Sequence, residues 1–178
     1  PDEIEKAMEK VCKELEQKNP ASENERKAVQ DKSDLFGQYV FYHQINETTF
    51  REQLKKLDFQ VSEKSYRICR MEITNYEEVC EKTKDEQGAL IQFLIFNMTE
   101  EILGKYKNGE LLRENEKNYL LLIEEMEEDN QKTKTILKEI ARVLREHIMA
   151  QVSWKISCVG HSWTELSDRY LECKKNVT

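Results

Sequence analysis

The segment Tyr66-Arg-Ile-Cys-Arg-Met-Glu-Ile73 reads as a buried β-strand that runs straight into a helix opening near Asn75. A buried strand leaves its backbone N–H and C=O groups without water, so other strands of the same chain must bond them. Most of the remaining sequence is patterned for helices. With only 5 glycines and 2 prolines, few tight turns are available, which argues against an all-β fold. A sheet that shares one body with helices is the expected outcome.

Taken in order, residues 2–18 show Ile4, Met8, Val11 and Leu15 at heptad spacing, with Asp2 and Glu3 in the first turn. This narrow seam suits a two-stranded coiled coil; the other reading is a helix laid on the body of its own chain. Asn19-Pro20 interrupts it, and Ser22 with Glu25 forms a capping box for a helix running to about residue 45. Asn46–Thr49 caps a short helix carrying Phe50, Leu54 and Leu57 on one face. After the Tyr66–Ile73 strand and a short helix from Asn75, a long apolar helix is expected over residues 85–106, ended by a left-handed cap at Asn108 or Gly109. Strands follow at Gly109–Arg113 and Asn118–Met126, the latter with the continuous run Tyr119–Ile123 that fits a central strand covered on both faces. A helix from Asp129 or Asn130 to about Ala150, a period-two strand over Val152–Val159 and a last helix to about Lys175 complete the chain.

The fold class expected is α+β, a ferredoxin-like palm of order β-α-α-β-β-α-β-α with an antiparallel sheet. Residues 61–178 form this domain, and residues 1–60 a helical linker with a possible coiled coil. The net charge of −7 argues against a grip on nucleic-acid phosphates or an anionic membrane surface. No run reaches the roughly 20 apolar residues of a membrane span. The 5 cysteines lie in no CxxC pair or zinc-like cluster and are expected to be reduced thiols. The chain opens on Pro1 within a helical pattern and carries no signal peptide, so a fragment of a longer cytoplasmic protein is expected.

Four features, taken together, resemble a known family. They are the Leu35-Phe-Gly-Gln-Tyr-Val40 helix with the Phe50…Leu54…Leu57 helix, and the strand and turn from Tyr66 to Glu78. The others are the strand Asn118–Ile123, and Val152-Ser-Trp-Lys-Ile-Ser-Cys-Val-Gly160 followed by Leu166…Tyr170. In that order they are similar to the middle, degenerate GGDEF-like region of YesN-like, AraC-type response regulators of Gram-positive bacteria. The resemblance implies a receiver domain before this segment and a helix-turn-helix DNA-binding domain after it. A homodimer is expected from the heptad seam at Ile4, Met8, Val11 and Leu15.

An active GGDEF domain holds Mg²⁺ on two carboxylates at the end of the first strand. The matching positions here are Glu72 and Thr74, so one carboxylate is missing. The hairpin that would be Gly-Gly-Asp/Glu-Glu-Phe reads Arg113-Glu-Asn-Glu-Lys-Asn118, without glycine. His43, His147 and His161 are scattered, and Ser157 and Ser162 lack a nucleophile-elbow context. The acidic run Glu124–Asp129 reads as a solvated connection. The chain is therefore expected to be no enzyme and to need no cofactor or metal, relaying a signal between its neighbouring domains. The alternative is a ligand sensor that keeps nucleotide or small-molecule binding in a residual cleft at Glu72, Thr74 and Asn75. A third reading is a protein-interaction face near Trp154 or Trp163.

Overall fold

The computed structural model describes residue 6 and residues 22–85, 88–107, 109–125 and 130–175. The seam residues Ile4, Met8, Val11 and Leu15 lie outside the described residues. Four strands, β1 (Tyr66–Ile73), β2 (Gly109–Arg113), β3 (Asn118–Glu124) and β4 (Val152–Ile156), form one antiparallel sheet in the order β2-β3-β1-β4. With the helices α3 (Tyr76–Thr83), α4 (Ala89–Tyr106) and α5 (Gln131–Ile148), this is the expected α+β palm.

Residue parity sorts the sheet into two faces. Cys69, Met71, Ile73, Leu111, Tyr119, Leu121 and Ile123 meet α3, α4 and α5 in one core. Tyr66, Ile68, Leu112, Leu120 and Leu122 meet a second core on the other face. That core is closed by α1 (Ser22–Phe36), α2 (Glu47–Lys56), a 3₁₀ turn at Trp163–Glu165 and α6 (Leu166–Lys174). Both faces of β3 are covered, which explains its unbroken apolar run. The helices before residue 61 thus share a core with the sheet.

The edge strand β2 is shielded by α1. Ser33 Oγ accepts from the Arg113 N–H at 2.9 Å, occupying a donor that an open edge would offer to another chain. Lys32 Nζ lies 2.8 Å from the buried Glu110 carboxylate, which also accepts from Gln60 N–H at 3.1 Å. Burial raises the Glu110 pKa, opposed by the Lys32 charge.

Several local expectations are corrected. The helix expected to reach residue 45 turns into a π-helical segment at Gly37–Phe41, where Tyr42 N–H bonds Gly37 C=O at 2.9 Å. The wider turn belongs to the stretch whose Phe36, Tyr39 and Phe41 rings join the second core. After α4 it is Lys107 that takes a positive φ, 59°, and Gly109 does not; Asn108 lies outside the described residues. β4 ends at Ile156 because Ser157 Oγ accepts from Ile68 N–H at 3.0 Å and interrupts the ladder. The side-chain phase shifts there, leaving Cys158 exposed rather than buried. Glu125, read as part of a solvated run, is buried: Arg67 Nε donates to it at 2.7 Å and Thr133 Oγ1 at 2.6 Å. Trp163 is buried in the second core, and Trp154 is half-buried at the edge of the first.

Candidate functional site

The end of β1 and the β2–β3 hairpin form the place where the resemblance sets a catalytic centre. Glu72 stands there between Asn118 of β3 and Ser153 of β4 and is half-buried. Beyond it, the backbone continues its bonding: Ile73 N–H donates to Lys117 C=O at 2.9 Å and Thr74 N–H to Gln151 C=O at 2.9 Å. Thr74 Oγ1 also donates to Gln151 C=O, at 3.2 Å. Asn75 is a clamp: its Nδ2 donates to Met149 C=O at 3.0 Å and its Oδ1 accepts from Gln151 N–H at 2.7 Å. Thr74 and Asn75 therefore spend their side chains on fixing the α5–β4 connection beside the strand end.

The hairpin replaces glycines with an Asx turn. Asn115 Oδ1 accepts from Lys117 N–H at 3.1 Å and Asn118 N–H at 2.9 Å. Glu114 is drawn onto the sheet face that faces α6, where Arg70 Nη2 donates to it at 2.6 Å and the Tyr170 hydroxyl makes a further short bond. Burial, reinforced by that bond, pushes the Tyr170 phenol upward. One carboxylate, Glu72, is left at the strand end, and its neighbour Asn118 is an amide whose Nδ2 is buried without a partner among the described residues. This set does not fit the two-carboxylate Mg²⁺ site that the resemblance implies. Among the described residues no group of three or more His, Cys, Asp or Glu side chains could hold a metal ion.

Four cavities are lined by described residues, and none of these four includes Glu72, Thr74 or Asn75. One of them, between α1, α4 and the hairpin, brings Arg113 and Tyr119 together. Sequence reasoning missed both. The available signal was parity: Arg113 follows Leu111 on the inward phase of β2 and is registered opposite Tyr119.

The histidines take no common site. His161 Nδ1 lies 2.9 Å from the Lys64 carbonyl, tying two connections together, while His43 and His147 are exposed.

No family model matches the chain, and no curated protein matches it. Among solved structures it is similar to the diguanylate cyclase SiaD of Pseudomonas aeruginosa, determined in complex with its activator SiaC. Identity is 15 %, the TM-score is 0.47, and the match covers 92 % of this chain. The chain spans 64 % of the length of that one. The sheet order β2-β3-β1-β4 with its helical crossovers is that of a ferredoxin-like palm. The expectation that the chain is no enzyme is corrected at this point: the solved structure it is similar to is that of an enzyme. Among the described residues no helix is long and apolar enough to cross a membrane.

Proposed function

We propose that this chain is a cyclase-like signal-relay and dimerisation domain of a cytoplasmic bacterial two-component transcription regulator. In that setting it stands between a receiver domain and a helix-turn-helix domain of the same full-length chain. The observation that carries the reading is the meeting of its first and last described helices on one sheet face. The Phe41 ring, just after α1, lies 4.7 Å from the Tyr170 ring of α6. Around this contact Tyr39 stacks on Phe50 at 4.3 Å, and its hydroxyl donates to Trp163 C=O at 3.1 Å. A shift of α1 therefore has a packed path to α6. Dimerisation would use Ile4, Met8, Val11 and Leu15, and Met8→Asp would lower the mass measured by light scattering.

Hydrogen exchange tests the relay. Phe41→Ala is expected to speed exchange of the Leu166–Lys174 amides while β1 and β3 stay protected. Unchanged exchange in α6 would show that the two helices are not coupled through this contact and would sink the reading.

A further inference from the structure

A cavity of 380 Å³ lies where α1, the first turns of α4 and the β2–β3 hairpin converge. That volume falls within the roughly 300–1,000 Å³ of small-molecule sites. Its walls are mixed: Val29 from α1, Phe93 and Phe96 from α4 and Leu111 from β2 are apolar, and Lys27, Gln30 and Gln92 add polar groups. Its polar end is made by Arg113 and Tyr119, a registered pair across β2 and β3. Arg113 Nε and the Tyr119 hydroxyl are both buried; the Arg113 side chain bonds the phenol oxygen, and the phenol O–H has no acceptor among the described residues. Tyr119 is only 2 % exposed.

A buried O–H donor without an acceptor beside an open space is costly for a fold to keep. The cost is removed by a guest that brings an acceptor oxygen to that donor and a flat apolar body to the phenylalanines. Burial pushes the Tyr119 phenol up to about 12, against the nearby Arg113 charge, so at neutral pH its hydroxyl keeps its proton and donates. The guanidinium supplies positive charge and a planar donor edge suited to a carboxylate.

We propose that this cavity is a binding site for a small aromatic carboxylate, whose carboxylate meets Arg113 and the Tyr119 hydroxyl while its ring lies between Val29, Phe93 and Phe96. The site is separate from Glu72, Thr74 and Asn75 and does not depend on the relay reading. Its α1 wall is fixed by the Ser33–Arg113 bond, so a bound acid would tie α1 to the hairpin.

Benzoate is the probe. In a ¹H–¹⁵N NMR titration of this chain, benzoate is expected to give saturable shifts centred on Phe93, Phe96, Leu111 and Arg113, with a Kd of about 1 mM or tighter. Benzyl alcohol, which lacks the charge, and inorganic phosphate, which lacks the ring, are expected to shift none of these amides in that range. Arg113→Gln should abolish the benzoate response. Tyr119→Phe, which removes one hydroxyl and keeps the ring, should weaken it several-fold with the rest of the spectrum unchanged. Absence of saturation, an undiminished response in both variants, or an equal response to benzyl alcohol or to phosphate would overturn the proposal.

Discussion

Arg70 holds Glu114 through two nitrogens, Nη2 at 2.6 Å and Nε at 3.2 Å, on the sheet face that carries α6. The two side chains are 15 % and 8 % exposed, so the pair is largely out of water. Removing one partner strands the other. Arg70→Met is expected to cost about 3 kcal/mol, whereas Arg70→Met with Glu114→Gln should cost clearly less, because no uncompensated charge remains. Urea denaturation of the three chains measures this. Equal losses in the single and double variants would show that the pair contributes through packing alone.

Lys32 and Glu110 make the same argument on the edge strand with a different emphasis. Burial raises the Glu110 pKa even with Lys32 beside it. A carboxyl whose folded pKa is raised favours the fold while protonated, and that contribution is lost as pH rises through the folded value. Lys32→Met leaves the carboxylate unpaired and is expected to destabilise at pH 7 by about 2–3 kcal/mol, with a smaller loss at pH 4. Glu110→Gln, which keeps the shape and an acceptor for Gln60 N–H, should cost less than Lys32→Met at pH 7. Thermal melts at the two pH values decide it, and a Lys32→Met loss independent of pH would refute the account.

Much of this architecture was legible because it is written in periodicity. β1, β2 and the start of β3 stand where the apolar runs placed them, and the Asn46 cap accepts from Thr49 N–H at 2.8 Å as its position suggested. The misses share a cause: side-chain hydrogen bonds, which periodicity does not register. Ser157 ends β4 by bonding Ile68 N–H, and the strand pattern in the sequence runs on past it. Glu125 sits in an acidic run, and only the fold brings Arg67 and Thr133 to it. At the hairpin, sequence reasoning saw the lost glycines but not the Asn115 turn that replaces them, nor Arg70 and Tyr170 converging on Glu114.

Gly160 carries a prediction in its contact with Tyr66. The two residues exchange N–H···O bonds of 3.0 and 2.8 Å, and a Cβ on Gly160 would stand 2.4 Å from the Tyr66 ring carbon Cζ. The ring is fully buried and its hydroxyl donates to Ser162 C=O at 2.8 Å, so it cannot step aside. Gly160→Ala is expected to cost about 1–3 kcal/mol through overpacking. Combined with Tyr66→Leu, which vacates the contact, the alanine should cost little more than Tyr66→Leu alone. Additive losses would place the penalty elsewhere.

Alkaline stability follows from three phenols. Burial is the largest cause raising the pKa of Tyr66, Tyr119 and Tyr170, the middle one to about 12. Unfolded phenols ionise near pH 10, whereas these three stay neutral in the fold. The unfolded chain therefore releases protons that the folded chain keeps. Stability is complete below about pH 10 and falls as pH rises through the folded values. For Tyr119 alone the loss by pH 12 is on the order of 2 kcal/mol. Tyr119→Phe, which loses the bond from the Arg113 side chain, should cost about 1 kcal/mol at pH 7 and should flatten the decline above pH 10. Denaturant midpoints between pH 8 and pH 11 measure the slope; a Tyr119→Phe curve parallel to that of the unmodified chain would show that this phenol does not govern it.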